Sequence, residues 1–235
     1  MLTACDNNIE MPDYANVVTG IEAKVENASD FDNVVEVIMM GFARGGDRRR
    51  FVELARSDFK DGGFIIEFPT TVNSNYLNSL IKGDGSLPTT IMRPPPSSLR
   101  ISNRNANVIN ATFWGVDSNG KIVTRFRPVI SGGGFFGQEF YFTYVNSNVT
   151  ISGRTERAGV FQTDFETFIK INYVWFSRIT TTYSIRWERG WNIWTNSWYE
   201  APPREAITRW STPPAGTLSW YSWEGCLGNI FTTRE

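Results

Sequence analysis

The 235-residue sequence contains no histidine. This absence excludes Ser-His-Asp and Cys-His nucleophilic catalysis, histidine-ligated zinc and the commonest general base of enzymes. Paired carboxylates could still act in a glycosidase, but no spacing among the Asp and Glu residues singles out such a pair. The sequence has no Asp-x-Asp-x-Asp-Gly run of a calcium-binding loop, and the glycines at 132–134 are not followed by the Lys-Ser/Thr pair of a nucleotide-binding loop. We therefore expect a non-enzymatic protein with no metal or cofactor.

An excess of either charge is also lacking. The chain has 23 Lys and Arg residues against 24 Asp and Glu residues, and the two signs are mixed along the sequence. A protein that binds nucleic acid usually concentrates basic residues on one face, because phosphate contacts dominate its affinity. The charge pattern therefore argues against a nucleic-acid partner.

Long apolar runs are absent, and no segment approaches the ~18 apolar residues of a membrane span. Cysteine is scarce: Cys5 and Cys226 could in principle form a disulfide, but Leu2-Thr3-Ala4-Cys5 is similar to the end of a lipobox. In that signal small residues precede a cysteine that receives a diacylglycerol, and a polar tether follows. We expect lipidation of Cys5, a tether over 1–15, and anchoring to the outer membrane of a bacterial cell envelope. Cys226 is then a packed, lone thiol.

The residues that are abundant predict strands. Short runs rich in Val, Ile, Thr, Phe, Tyr and Trp alternate with Gly, Asn, Asp and Pro, and this pattern indicates an antiparallel all-β protein. We expect a sandwich-like part over 16–130 and an aromatic β-meander over 131–235, which can be one continuous domain and can close as a sandwich or a lipocalin-like barrel. The predicted strands are 17–26, 33–43, 50–56, 62–68, 108–116, 121–129, 139–145, 149–157, 165–176, 180–188, 191–199, 206–211 and 217–223.

Local signals interrupt the strands in two places. Residues 74–81 predict one short helix, with Asn73 or Ser74 as its cap and Gly83 as its end. The stretch 83–107, rich in Gly and Pro, predicts a long loop. Residues 117–120 read Asp-Ser-Asn-Gly and predict a hairpin turn, because Asn and Gly tolerate positive φ.

Tryptophan is concentrated near the C-terminus, where eight of the nine tryptophan residues lie after residue 170. A turn at 188–190 would place Trp187 opposite Trp191 and Ile185 opposite Ile193 on a buried face. The opposite face of this hairpin would then combine flat rings with amide and guanidinium groups. Its members are Arg186, Asn192, Trp194, Asn196 and Trp198.

This second face predicts a binding site for a glycan, because sugar rings stack on aromatic side chains while amide and guanidinium groups bond their hydroxyls. The alternative is that Trp194 and Trp198 only pack against a neighbouring segment. Two other functions remain open from the residues alone. One is a lipid or amphiphile carrier of lipocalin type, and the other is a structural or adhesive subunit that binds a protein partner through a sheet edge.

Three stretches resemble a broad family of β-rich surface lipoproteins of Gram-negative gut-type bacteria. They are the N-terminal Leu-Thr-Ala-Cys, the Phe-Lys-Asp-Gly-Gly-Phe at 59–64, and the Arg-Gly-Trp-Asn at 189–192 followed by Pro-Pro-Ala-Gly at 213–216 and Trp-Tyr at 220–221. The chain departs from the family in Glu188 and Arg189, where lysines are usual. The resemblance implies an exported lipoprotein with β architecture, and it assigns no catalytic or binding residues.

Overall fold

A computed structural model describes residues 17–26, 28–45, 48–81, 99–131, 136–162, 173–201, 205–211 and 219–223, with side chains for 17–26, 28–43, 51–81, 99–128, 140–156 and 178–197. Cys5 and Cys226 lie outside these residues. The described chain forms β-strands almost throughout, which confirms the predicted antiparallel all-β class. The strands are β1 Gly20–Lys24, β2 Glu36–Gly45, β3 Arg48–Asp58, β4 Gly63–Glu67, β5 Asn78–Ser79, β6 Leu99–Ile101, β7 Asn107–Val116, β8 Ile122–Ser131, β9 Phe136–Val145, β10 Val149–Gln162, β11 Tyr173–Trp187, β12 Gly190–Ala201, β13 Glu205–Ser211 and β14 Ser219–Trp223.

These strands form two sheets. β1 and β4 make a two-stranded antiparallel ribbon, and the other strands make one twelve-stranded sheet in the order β3-β2-β7-β8-β9-β12-β13-β11-β10-β6, with β5 on β7 and β14 on β8. β8 pairs with β9 through Val129, Ile130 and Ser131, so the large sheet includes strands on both sides of the predicted domain boundary at 130. The division into two parts at this boundary stays a prediction.

A tight turn carries the chain from β3 of the large sheet into β4 of the ribbon. Asp61 and Gly62 both have positive φ, 53° and 74°, as the two central residues of a type I′ hairpin turn require. Strand alternation then turns Phe64, Ile66 and Phe68 inward. The intervening residues of β4 face solvent, so the ribbon has one apolar inner face and one outer face.

The main core lies between the inner face of the ribbon and one face of the large sheet. Its centre is aromatic: the ring centroid of Phe68 lies 5.6 Å from that of Phe142 and 5.2 Å from that of Trp191. Phe113 of β7 packs 5.5 Å from Phe142. The ribbon therefore covers the large sheet as the second layer of a sandwich, in agreement with the predicted sandwich-like class.

A second core lies on the other face of the large sheet. It joins buried side chains of β7, β9, β10, β11 and β12, among them Val108, Val145, Ile151, Ile185 and Trp194. β7 and β10 are far apart in the strand order, so the sheet curls over to bring them together. β3 and β6 end the described order without pairing to each other, so the described ladder is open, unlike the closed barrel that was one alternative.

The strand order of the C-terminal part differs from a simple meander. β11 pairs with β13 in parallel, and β13 thereby separates β11 from β12, its neighbour in the chain. The two strands predicted at 165–176 and 180–188 are replaced by the single strand β11, which begins at Tyr173. Residues 163–172, which include most of the strand predicted at 165–176, lie outside the described chain.

The predicted turn at 117–120 is confirmed. The side chain of Asp117 accepts hydrogen bonds from the backbone N–H groups of Asn119 and Lys121, each at 2.9 Å, and Gly120 has φ of 76°. This turn forms locally because its own side chain satisfies its backbone.

The predicted helix at 74–81 is wrong beyond its first turn. Asn73 does cap a single 3-10 turn, Ser74–Tyr76, by accepting a bond from Asn75 N. The chain then becomes extended, because β5 pairs with β7 and Leu80 N donates to Ala106 O at 2.8 Å. Tertiary pairing outweighs the weak helical preference of so short a segment.

Replacing Gly63 by Ala should lower the free energy of unfolding by about 1–3 kcal/mol, because a Cβ at this position would collide with the backbone oxygen of Ala23. Gly120→Ala is the matched control: its Cβ would meet nothing within 4 Å, so its cost is the positive φ alone, about 1 kcal/mol. Urea unfolding followed by far-UV circular dichroism measures both. Equal losses would show that β1 and β4 do not pack as closely as described.

Candidate functional site

The predicted aromatic hairpin does not form. β11 pairs with β10 and β13, whereas β12 pairs with β9 and β13. Trp187 accordingly lies opposite Val149, and Trp191 lies opposite Tyr144. The two tryptophans occupy the two different cores, on opposite faces of the large sheet.

Asn192 binds the backbone of the connection between β11 and β12. Its side-chain oxygen accepts a hydrogen bond from Glu188 N at 2.9 Å, and its Nδ2 donates to the backbone oxygens of Glu188 and Gly190 at 2.7 and 3.0 Å. Gly190 adopts φ of 116°. These bonds hold an open connection between β11 and β12, and β13 enters the gap between the two strands.

The predicted glycan-binding face is therefore not an exposed platform. Asn192 and Asn196 are buried, and Trp194 is 1% exposed. Arg186 is exposed on β11, whereas its neighbours Ile185 and Trp187 are buried in the second core with Trp194. The side chain of Trp198 lies outside the described residues. The prediction of an exposed face is wrong for Asn192, Trp194 and Asn196, because the curled sheet covers the face on which they lie.

Trp194 is instead part of a buried network. Its ring stacks on Tyr141 with centroids 4.4 Å apart. Its Nε1 donates to the hydroxyl of Thr143 at 2.8 Å, and that hydroxyl donates to Asn110 Oδ1 at 2.6 Å. Packing and hydrogen bonding are both satisfied here, as expected of a tryptophan in a core.

A different site emerges on the outer side of the ribbon, where a groove of about 630 Å³ is lined by residues 17–22, 65–70 and 189–191. Two apolar side chains in this lining are exposed to solvent: Ile65 at 65% and Val17 at 38%. Ile65 stands on the outer face of β4, where alternation would place a polar residue. The groove therefore presents apolar surface that nothing in the described chain covers.

Hydrogen bonds hold the three lining segments together. Val18 N donates to Trp191 O at 2.9 Å, Phe68 N donates to Thr19 O at 2.8 Å, and Trp191 Nε1 donates to Pro69 O at 2.9 Å. Gly20 lets β1 approach β4, because a Cβ there would lie 2.8 Å from Ile66 O. The groove is thus preformed by backbone contacts.

Ionisable side chains flank this apolar surface. Glu22 and Glu67 lie on the outer face of the ribbon, and Arg189 belongs to the third lining segment, 189–191; all three are exposed. None of the three is a ligand-binding residue predicted from the sequence. The available signal was Ile65 itself, an apolar residue in the outward register of a strand whose inward positions are Phe64, Ile66 and Phe68.

A second, smaller cavity of about 150 Å³ lies where three strands part. β7 pairs with β9 as far as Ala111 and with β8 from Phe113, while β8 and β9 pair from Val129. The gap among the three ladders is lined by Arg125, Arg127, Tyr141 and their neighbours, and Arg125 lies over the ring of Trp114 at 5.4 Å. This gap marks the point at which the sheet branches.

Comparison of the chain with protein-family models, curated proteins and solved structures finds no match. Within the described ranges no helix is both long and apolar enough to cross a membrane. The same residues contain no group of three or more Cys, Asp or Glu side chains arranged to hold a metal ion. The candidate site therefore stands on its own geometry.

Trp194→Ala should lower the free energy of unfolding by about 3–5 kcal/mol, because it empties a fully buried ring position. Trp194→Phe keeps most of the ring but loses the bond to Thr143, and it should cost less. Arg186→Ala, on an exposed position, is the control and should change stability by less than ~0.5 kcal/mol. Urea unfolding measures these changes in stability. An unchanged midpoint for Trp194→Ala would contradict the buried position of this ring and favour its predicted role in ligand binding.

Proposed function

We propose that this protein is a non-catalytic binding protein of the bacterial cell envelope and that the groove beside the β1–β4 ribbon holds an amphiphilic ligand. The observation that supports this proposal most directly is the exposure of Ile65 and Val17 in a preformed groove. Exposed apolar side chains in a concave, polar-rimmed surface are characteristic of ligand sites.

The dimensions favour a small molecule. A volume of about 630 Å³ falls within the ~300–1,000 Å³ typical of small-molecule sites. The exposed apolar side chains of the lining, Val17 and Ile65, are aliphatic, and exposed polar and charged side chains accompany them. A ligand with an apolar chain and a polar head matches such a surface, because its chain can cover Ile65 while its head stays in water.

We favour an amphiphile over a glycan for a physical reason. The glycan hypothesis depended on exposed rings, and Trp194 is buried while the ring of Trp191 faces the core. A sugar would find aliphatic rather than aromatic surface at the groove, and aliphatic side chains offer no flat ring for stacking. The third function, a structural or adhesive subunit, predicts assembly without a small ligand.

The proposed location in the cell envelope rests on Leu2-Thr3-Ala4-Cys5 and on the resemblance to β-rich lipoproteins. A diacylglycerol on Cys5 would tether the folded part, which begins in the described chain at Val17, through a polar segment. Such a tether would keep the groove close to a membrane surface, where amphiphiles are found.

Ile65→Ser should weaken binding of an apolar probe without unfolding the protein. The side chain is 65% exposed, so its loss costs little stability, whereas the ligand loses an apolar contact worth about 1–2 kcal/mol, a five- to thirtyfold change in Kd. Fluorescence titration with the neutral dye N-phenyl-1-naphthylamine, followed by displacement with decyl maltoside below its micelle concentration, measures the affinity.

Val35→Ser is the matched control for this titration. Val35 is also apolar and 42% exposed, but it does not line the groove. The affinity should be unchanged in this variant and five- to thirtyfold weaker in Ile65→Ser. Equal affinities in both variants would place the apolar site elsewhere, and no saturable binding by the unaltered protein, together with oligomers in solution, would favour the structural subunit.

Lipidation is tested on protein isolated from the cells that naturally produce it. Mass spectrometry of the N-terminal peptide should find Cys5 as the first residue, carrying a diacylglycerol on its sulfur. An unmodified Cys5 within an intact Met1–Asp6 peptide would contradict the lipoprotein proposal, and it would leave the groove proposal untouched.

A further inference from the structure

The outer face of the ribbon has a defined arrangement of charge. In the β1–β4 register Glu22 lies directly opposite Ile65, and Gly20 lies opposite Glu67. Directly opposed residues on one face have Cβ atoms about 5 Å apart, and residues two apart along a strand are on the same face. Ile65 therefore has one carboxylate across the ribbon and another along its own strand.

Gly20 brings the two strands close together at this end of the ribbon. A Cβ there would lie 2.8 Å from Ile66 O, so the position opposite Glu67 contributes backbone and no side chain. Val17, Ile65 and Glu67 line the same groove. A ligand lying over Ile65 would therefore have the carboxylate of Glu67 beside it on the same strand.

The two carboxylates have no ion-pair partner among the described residues, in contrast to Glu36 and Glu53, which both bind Arg56. Among the described residues that line the groove, Arg189 is the one with a basic side chain, and it directly precedes β12. These described residues carry two carboxylates and one guanidinium group, and both carboxylates are on the ribbon with Ile65.

We propose that the ligand of the groove is a cationic amphiphile, whose positively charged head lies between Glu22 and Glu67 while its apolar chain covers Ile65 and Val17. This inference rests on the proposed binding function and names its ligand class. Charge complementarity supports this inference, because two nearby carboxylates attract an ammonium head and repel an anionic head.

The test compares three probes that share a decyl chain and differ in the head: decyltrimethylammonium, decyl maltoside and decanoate, each below its micelle concentration. Isothermal titration of the unaltered chain should give a Kd for the cationic probe about three- to tenfold below that of the neutral one, since each exposed charge pair contributes modestly. Decanoate should bind most weakly. Raising the salt concentration to ~0.5 M should narrow these differences.

Variants locate the charge effect. Glu22→Gln with Glu67→Gln should bring the cationic and neutral probes to within about twofold of each other, and the change should come from weaker binding of the cationic probe. Glu26→Gln, an exposed carboxylate on the same segment outside the groove, is the matched control and should keep the preference. Arg189→Gln should increase the preference for the cation.

The outcomes separate the two proposals. Equal binding of all three probes, lost in Ile65→Ser, would overturn the cationic inference and retain the apolar groove. A preference for decanoate that Arg189→Gln abolishes would overturn it in favour of an anionic ligand. If no probe binds, the binding function itself fails.

Discussion

The packing of the β1–β4 ribbon on one face of the large sheet is the contact on which the rest of the described structure depends. Phe68 is at its centre, against Phe142 and Trp191. Burial of such rings contributes about 1.5–3 kcal/mol each, and the hydrogen bond from Trp191 Nε1 to Pro69 O satisfies the polar atom of the largest ring while joining residues 122 apart in sequence. The same contact aligns the three segments that line the groove. The packing of the ribbon on the large sheet therefore forms both the main core and the candidate site.

The large sheet has a core on each of its faces, and this explains why polar side chains of β12 are buried. Asn192 makes three hydrogen bonds to the backbone of the β11–β12 connection, so its burial stabilises that connection. Asn196 Oδ1, Trp187 Nε1 and Thr124 Oγ1 are buried without a hydrogen-bond partner among the described residues, and each such atom offsets part of the stability that burial contributes. The groove lies away from the second core, where the ribbon leaves apolar surface exposed to solvent.

Features with a local cause were predictable from the sequence. The Asp117–Gly120 turn forms as expected because one side chain bonds its own backbone, and the strands of the described chain follow their β-branched and aromatic runs closely. The segment after Tyr76 was not predictable, because its extended shape comes from pairing with β7, some thirty residues further along the chain. The candidate groove was missed for a similar reason: Val17, Ile65 and Arg189 are distant in sequence and meet only through the ribbon.

The residue pattern alone predicts an antiparallel β protein without histidine chemistry, and it predicts which side chains alternate along each strand. What covers each face depends on the tertiary fold. Trp194, Asn192 and Asn196 do share one face of β12, as alternation requires, yet that face is buried by β10 and β11. Alternation is a property of a single strand, whereas burial depends on which strands pair and how the sheet curls, and both depend on contacts between residues far apart in the chain.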